Sequence, residues 1–161
     1  MKIIVDADSI PKTALNIAAR LSAQYQIPLL TIASFNHQIQ VNRAFAWQHK
    51  TVGNADQETD LAVVNLAEQR DIAITQDYGL AALLLARKVA VLSPHGRIFH
   101  SQSIEFLLEE RELKARFRRN GGRTRGPLKR TAADDQKFQQ NLQFLLDNLA
   151  NGDENSCNTQ I

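Results

Sequence analysis

The stretch that decides the fold lies at the start of the chain, where residues 2–10 read K-I-I-V-D-A-D-S-I. Its β-branched run from Ile3 to Val5 has a charge before it and acids after it, which is typical of a buried parallel strand that ends at a site. Asp6 and Asp8 follow two residues apart, and side chains at this spacing in extended backbone lie on the same side. Two adjacent carboxylates need a cation, a shared proton or a donor to offset their repulsion. We therefore interpret Asp6 and Asp8 as the first half of a divalent-metal site.

The overall composition is that of an ordinary globular protein. The chain has 161 residues, of which 43% are hydrophobic and 22% charged, and this suits one domain with a full-sized core. No apolar run reaches the roughly 18 residues that cross a bilayer, and the first residues lack the features of a signal peptide. The single cysteine, Cys157, excludes an intramolecular disulfide and a thiolate zinc cluster within one chain. We expect a cytoplasmic protein without membrane contact.

The net charge of +2 conceals a strong asymmetry. Residues 111–130, called the basic segment below, carry nine Lys and Arg against one acid, for a local charge of +8. The other residues carry ten Lys and Arg against sixteen acids, for a charge of −6. This polarity indicates a phosphate-bearing partner. Arg123 and Arg125 lie on a glycine-containing loop and suit bidentate phosphate contacts. The predicted nucleic-acid contacts are Arg118, Arg119, Arg123, Arg125, Lys129 and Arg130.

Hydrophobic periodicity predicts strands that alternate with helices. This alternation is typical of an α/β fold, and we predict a three-layer α/β/α sandwich with a mainly parallel sheet and C-terminal helices. One domain is expected over residues 1–149, followed by a polar, disordered tail at 150–161. Beyond the first strand, the expected strands cover residues 28–33, 50–52, 72–75 and 89–92, and the expected helices cover residues 11–25, 58–70, 78–88, 101–119 and 132–149.

Local signals also give expectations about helix starts and apolar faces. Ser9 is expected to cap the first helix, and Thr131 with Asp134 forms a near capping box before the last one. Leu61 is expected on the apolar face of the helix at 58–70, and Leu113 on the inner stripe of the helix at 101–119.

Acids recur where elements of this predicted fold begin or end. Asp77 follows the strand at 72–75, and Asp56 and Asp60 lie at a helix start, four residues apart. Carboxyl ends of parallel strands share one edge of a sheet, so Asp6, Asp8 and Asp77 converge if their strands are neighbours. Asp60 is favoured as functional, whereas capping and ligand roles stay equally open for Asp56. A cluster of oxygen ligands without thiolates predicts a site for Mg²⁺ or Mn²⁺.

Four stretches of the chain resemble the YaiI/YqxD family of uncharacterised bacterial proteins. They are I-I-V-D-A-D, D-Q-E-T-D, I-T-Q-D-Y-G-L-A and R-R-N-G-G-R-T-R-G-P, and the likeness covers about residues 1–149. That family looks like a divergent relative of the PIN-domain nucleases, whose fold is an α/β/α sandwich. PIN nucleases carry an Asp after the first strand, a central acid at a helix start and a T-x-D at a later strand end.

The resemblance implies a role for each matching residue. Asp6 matches the first PIN acid, Asp60 the central acid with Asp56 as its competitor, and Thr75 with Asp77 the T-x-D. Asp8 has no fixed counterpart in the general PIN pattern. A further downstream acid that is common in PIN nucleases has no clear match in this chain, which places a second metal in question.

These residues predict hydrolysis of phosphodiester bonds in nucleic acid. A Mg²⁺ or Mn²⁺ ion held by Asp6, Asp8 and Asp77 would bind a phosphate oxygen and activate a water molecule. Asp60 would orient the water or complete a second site, and Thr75 would orient a carboxylate by a hydrogen bond. The basic segment would bind the flanking backbone with little sequence preference, and RNA is expected ahead of DNA.

Three alternatives stay open. The acids could be structural while the basic segment binds nucleic acid or a nucleotide without catalysis. A phosphatase of the haloacid-dehalogenase type would use Asp6 as nucleophile and Asp8 as acid/base, although no G-D-x-x-x-D pair appears and Lys88 precedes a strand. The chain could also form a homo-oligomer, with the basic segment docked on the acidic edge of a second copy.

Overall fold

The structure of the protein is a computed structural model that describes residues 1–35, 39–41, 43–53, 57–126 and 129–152. Within these residues, six strands form a sheet in the order β3-β2-β1-β4-β5-β6, with five helices around it. Neighbouring strands are parallel except for β5 and β6. The strands are β1 (Ile3–Asp6), β2 (Leu29–Ser34), β3 (Gln48–Val52), β4 (Ile72–Ile74), β5 (Ala90–Leu92) and β6 (Ile98–Phe99). The helices are α1 (Lys12–Tyr25), α2 (Glu58–Leu66), α3 (Tyr78–Ala86), α4 (Ser101–Arg119) and α5 (Ala132–Ala150).

β1 is a central strand that is buried on both faces. It pairs with β2 on one side and with β4 on the other, so that Ile3 aligns with Leu29 and with Ile72. Ile3 and Val5 pack into the core under α1 and α5, whereas Ile4 packs into the core under α2, α3 and α4. Successive side chains of a strand point to opposite faces, which explains why an uninterrupted apolar run serves both cores. The predicted α/β/α sandwich with a mainly parallel sheet is confirmed.

The start of α1 differs from the prediction. Pro11 is the residue before the helix, and no side chain caps it. Proline has no backbone N–H that would need a partner, and its fixed φ suits the start of a helix. Ser9 instead donates a hydrogen bond to Asp6, with 3.1 Å between Oγ and Oδ2. The capping role predicted for Ser9 is therefore wrong, and the residue belongs to the acidic edge of the sheet.

α2 ends four residues before the predicted position because a buried carboxylate forms a turn after it. Asp71 is 1% exposed and accepts hydrogen bonds from the backbone N–H of Lys2 and of Glu68, each at 2.9 Å. Within this turn Arg70 has a φ of 74°, a left-handed conformation that no α-helix can continue. Lys2 also contacts Asp71 through its Nζ at 2.7 Å, so the turn connects the amino ends of β1 and β4.

The apolar faces of two helices are rotated from their predicted positions. Val63 of α2 is 1% exposed and Leu61 is 58% exposed. Asp60, Val63 and Ala67 recur at helical spacing, so the face that carries Asp60 is the buried face and Leu61 lies on the opposite side. In α4, Leu113 is 65% exposed, which also contradicts the prediction.

The carboxyl-terminal part of the fold contains one element that was not predicted. β6 returns antiparallel to β5 after a turn that includes Gly96 at a φ of +82°. α5 then begins with the expected capping box between Thr131 and Asp134, which is confirmed, and it buries Phe138 against the sheet. None of the described helices combines the length and apolar character needed to span a bilayer. Disorder is predicted for the tail at residues 150–161. From residue 153 onward this tail lies outside the described ranges.

Candidate active site at the carboxyl edge of the sheet

Asp6 is the last residue of β1, and its carboxylate is held by two hydroxyl groups. The side chain is 6% exposed. Its Oδ2 accepts hydrogen bonds from Thr75 Oγ1 at 2.8 Å and from Ser9 Oγ at 3.1 Å. Thr75 directly follows β4, and the parallel pairing of β1 with β4 places the two strand ends side by side. The condition on which the predicted convergence rested, that these two strands are neighbours, is met.

Asp8 turns to the other neighbour of β1. Its Oδ1 accepts hydrogen bonds from the backbone N–H and the hydroxyl of Ser34, at 2.9 and 3.0 Å. Its Oδ2 accepts a hydrogen bond of 2.8 Å from Thr59 Oγ1, in the first turn of α2. The side chain of Asp6 therefore turns towards β4, and that of Asp8 turns towards β2. The two turn away from each other, which leaves a space between them at the carboxyl end of β1.

Asp77 and Asp60 reach the same edge from helix starts. Asp77 caps α3, because its Oδ1 accepts the backbone N–H of Leu80 at 2.9 Å. Its Oδ2 lies 3.2 Å from Arg111 Nη1, on α4. Asp60 is in the first turn of α2, where the helix dipole favours a negative charge.

One cavity of about 740 Å³ contains all four carboxylates. α4 forms another wall of the cavity and contributes three cations, Arg111, Lys114 and Arg118, together with Glu110. The cavity therefore has an acidic wall at the strand ends and a mainly basic wall on α4. The residues that line it are Asp6, Asp8, Ser9, Ser34, Gly53, Gln57, Thr59, Asp60, Gln76, Asp77, Tyr78, Leu107, Glu110, Arg111, Lys114 and Arg118.

Two carboxylates of the acidic wall, those of Asp6 and Asp60, have raised pKa values. Burial raises the pKa of Asp6, hydrogen bonds from Thr75 and Ser9 oppose this rise, and the charge of Asp8 adds to it. Burial also raises the pKa of Asp60, and the charges of Asp77, Asp6 and Asp8 raise it further. Both carboxylates therefore favour a partner with positive charge, either a proton or a cation.

The donor set suits a hard cation in its chemistry but is not preformed in its geometry. The acidic wall offers carboxylate and hydroxyl oxygens, which are the ligands of Mg²⁺ and Mn²⁺. Among the residues that the structure describes, no three acid, His or Cys side chains stand close enough together to hold a metal ion. The carboxylates of Asp6, Asp8 and Asp77 are engaged by protein donors instead. Metal binding by Asp6, Asp8, Asp60 and Asp77 stays a prediction, and Asp56 lies outside the described residues.

The nucleic-acid contacts predicted in the basic segment do not all lie at the cavity. Arg118 lines the cavity, and Arg119, Arg123, Arg125 and Lys129 are exposed to solvent and lie outside the cavity lining. Their contacts to nucleic acid stay predictions.

Arg130 does not belong to an exposed basic surface. Its side chain is 15% exposed, and its Nη2 lies 2.6 Å from Asp135 Oδ1. It also donates hydrogen bonds to the carbonyl of Pro94 and to Thr13 Oγ1. Arg130 thus joins the start of α5 to the turn after β5. Internal acceptors occupy its guanidinium, and the phosphate contact predicted for it stays a prediction.

Arg111 and Lys114 were missed as individual site residues, although both belong to the basic segment. The signal was present in the spacing. Ile104 and Leu107 are the buried residues of α4, and positions 111, 114 and 118 continue the same helical face. A helical face that is apolar in its first half and cationic in its second half indicates a helix that packs on the core at first and then lines a polar cavity.

The family described as "Uncharacterized BCR, YaiI/YqxD family" matches residues 4–148. A UPF0178 protein of Heliobacterium modesticaldum is 51% identical over 146 residues, which are 91% of this chain and 97% of the relative. A UPF0178 protein of Exiguobacterium sibiricum is 44% identical, over 91% of this chain and 96% of the relative. The crystal structure of a variant of Rae1 (YacP) from Bacillus subtilis covers 94% of this chain and 99% of its own, with 12% identity and a TM-score of 0.41. At that TM-score the likeness to Rae1 supports no argument about fold or function.

Proposed function

The chain belongs to the YaiI/YqxD family, as its motifs indicated, and for this member we propose hydrolysis of phosphodiester bonds in nucleic acid with the help of Mg²⁺ or Mn²⁺. The observation that carries the proposal is the cavity in which strand-end carboxylates face a wall of cations on α4. A phosphodiester is an anion that needs positive charge around it. A hydrolase must in addition hold a cation and a water molecule beside the scissile bond. RNA is expected ahead of DNA. The relation to PIN nucleases belongs to this proposal and has its support in the sequence motifs alone.

Each residue of the acidic wall has a part in the proposed reaction. A bound divalent ion would lower the pKa of a water molecule and offset the charge that develops on the phosphate. Asp6, Asp8 and Asp77 would hold the ion, with Thr75 and Ser9 keeping the Asp6 carboxylate in one orientation. Asp60 would accept a hydrogen bond from the attacking water, since its raised pKa suits a group that takes up a proton.

The test uses a matched pair of carboxamide variants. Asp6→Asn removes a carboxylate of the acidic wall, and Glu112→Gln makes the same chemical change at an exposed acid outside the cavity lining. Protein freed of metal with EDTA is given end-labelled RNA and DNA of one sequence, with Mg²⁺ or Mn²⁺. We expect cleavage by the parent and by Glu112→Gln, and a loss of at least about 100-fold in Asp6→Asn. The proposal is wrong if neither metal supports cleavage, or if Asp6→Asn cleaves at the parental rate.

A non-catalytic nucleic-acid-binding protein is the second candidate. One observation favours it: protein donors already engage the carboxylates of Asp6, Asp8 and Asp77, as in an acidic edge built for structure. The same preparation separates the candidates, because binding of the labelled strands without any cleavage in either metal is the result expected of a binding protein. The phosphatase alternative has no observation in its favour, since the proposed nucleophile Asp6 is buried and hydrogen bonded by two hydroxyls.

A further inference from the structure

α4 carries a row of cations on the helical face that buries apolar side chains earlier in the same helix. Ile104 and Leu107 are 5% and 4% exposed and pack into the core. Arg111, Lys114 and Arg118 continue the same face, and all three line the cavity. The row from 111 to 118 extends about 10 Å along the helix, which is longer than one phosphate group.

Arg116, the other cation between residues 111 and 118, lies on a different face of α4. Not every cation of this helix therefore belongs to the row. Arg116 is 65% exposed, pairs with Glu112 at 2.7 Å and does not line the cavity. If the cations of α4 served solubility alone, they would not need to lie on the same helical face as the buried residues Ile104 and Leu107. The row therefore has a position that suits a ligand inside the cavity.

Arg111 connects the row to the acidic wall. Its Nη1 lies 3.2 Å from Asp77 Oδ2, and the two side chains are 56% and 35% exposed. Exposed pairs of this kind contribute little stability and exchange readily. Lys114 is in a similar state, since it lies 2.5 Å from Glu110 with both side chains about half exposed. Neither cation is fixed by burial, so each is able to turn to an anion that enters the cavity.

We infer that Arg111, Lys114 and Arg118 form a phosphate-binding subsite opposite the strand-end carboxylates, and that Arg111 exchanges Asp77 for a backbone phosphate of the substrate when Asp77 is taken by the divalent ion. The inference rests on the proposed function for its metal-linked part. The exchange couples the two ligands, because an ion that occupies Asp77 frees Arg111, and a phosphate that occupies Arg111 frees Asp77. By linkage, each ligand raises the affinity for the other by the same factor. Arg111 is in this sense a positioning residue for the scissile group.

The first arm of the test measures phosphate binding without metal. A fluorescent 12-nucleotide single-stranded RNA is titrated in EDTA at several salt concentrations against the parent, Arg111→Gln, Lys114→Gln and Arg118→Gln. Arg116→Gln is the control, since it removes the same charge from the same helix outside the cavity. We expect each cavity variant to lose about threefold to tenfold in affinity and to lower the slope of log affinity against log salt by about 0.7, with Arg116→Gln near the parent. Equal losses in Arg116→Gln and Arg118→Gln would overturn the subsite in favour of diffuse charge attraction.

The second arm measures Mn²⁺ affinity in the absence of nucleic acid, from the signal of free Mn²⁺ in electron paramagnetic resonance. Arg111→Gln should bind Mn²⁺ about threefold to fivefold more tightly than the parent, because Asp77 no longer has a competing partner. Lys114→Gln removes a charge from the same wall without touching Asp77 and should change this affinity much less. Equal changes in both variants would overturn the exchange. A parent that binds no Mn²⁺ would refute the metal-dependent function and the exchange, while the first arm would still decide the phosphate subsite.

Discussion

Thr75 Oγ1 donates a hydrogen bond of 2.8 Å to Asp6 Oδ2, and this bond joins two buried residues that lie 69 positions apart in the chain. The same hydroxyl oxygen accepts the backbone N–H of Asp77 at 3.0 Å. Thr75 therefore positions one acid of the wall by its side chain and the next by its effect on the backbone.

Thr75→Val should weaken Mn²⁺ binding and cleavage by about 10- to 100-fold, the usual effect of removing a group that orients a metal ligand. Valine keeps the shape of the side chain and removes its hydrogen bonds, so Asp6 loses one of its two hydroxyl donors and keeps that of Ser9. Thr75→Ser keeps the hydroxyl and should stay near the parent. Mn²⁺ titration and a cleavage assay check both variants. Parental Mn²⁺ affinity in Thr75→Val would show that the bond serves the fold alone.

Asp77 has two separable roles, as the cap of α3 and as a proposed metal ligand. Asp77→Ala should lose both, at a cost of about 1 kcal/mol in the free energy of unfolding. Asp77→Ser retains an oxygen for the N–H of Leu80 and should unfold within about 0.5 kcal/mol of the parent, yet lose the carboxylate. Urea denaturation and Mn²⁺ titration measure the two effects. If Asp77→Ser binds Mn²⁺ as the parent does, Asp77 is only a helix cap.

Asp60→Asn should stabilise the metal-free protein at neutral pH. The pKa of Asp60 is raised in the folded state, so folding is favoured below its ordinary value of 3.8 and loses this advantage as the pH rises through the raised pKa. Asparagine does not titrate, so the Asp60→Asn variant does not lose this part of its stability as the pH rises. Thermal unfolding in EDTA should therefore show a higher melting temperature for Asp60→Asn at pH 7, with the gap to the parent closing towards pH 3.5.

Addition of Mn²⁺ should narrow this gap, because an ion stabilises the folded protein by mass action and should bind the parent more tightly than a variant that lacks the negative charge of Asp60 beside it. A variant that is less stable than the parent at pH 7 in EDTA would contradict the electrostatic account of the acidic wall.

Asp71→Ala should destabilise the fold strongly without reaching the cavity. Asp71 lies at the amino end of β4, away from the carboxyl edge, and its loss leaves Lys2 and two backbone N–H groups without their acceptor. We expect a cost of about 2–4 kcal/mol in the free energy of unfolding. Glu68→Ala is the control, because Glu68 is 81% exposed, and should change stability by less than about 1 kcal/mol. At temperatures where Asp71→Ala is folded, its affinity for RNA should equal that of the parent.

The sequence made the centre of the fold predictable because its signals there are local or periodic. The unbroken apolar run of β1 could only be a strand buried on both sides, and Asp6 had to follow it at the sheet edge. Thr131 and Asp134 form their capping box within one helical turn, so two residue types at the right spacing were sufficient to predict the start of α5.

The errors concern residues whose partners are distant in the chain. Ser9 has the right type for a cap, but the carboxylate of Asp6 competes for its hydroxyl. Leu61 is apolar and exposed because α2 buries the face that carries Val63 and Ala67, which is also the face of the cavity residue Asp60. The internal contacts of Arg130 were not predictable from its place in a run of cations either, because its acceptors at Pro94 and Thr13 come from other parts of the chain. Charge and periodicity indicate what a residue can do, whereas tertiary contacts decide which of those possibilities is used.

The position of α5 has a consequence for how the fold forms. Phe138, Leu142 and Leu145 complete the core over the same face of the sheet as Ile3 and Val5, so β1 acquires part of its cover from the described element that lies farthest from it in the sequence. Contacts between segments so far apart must close a long loop, which slows folding relative to a domain that is built from local contacts. A chain cut before residue 138 should therefore leave β1 without this packing and expose apolar surface to solvent.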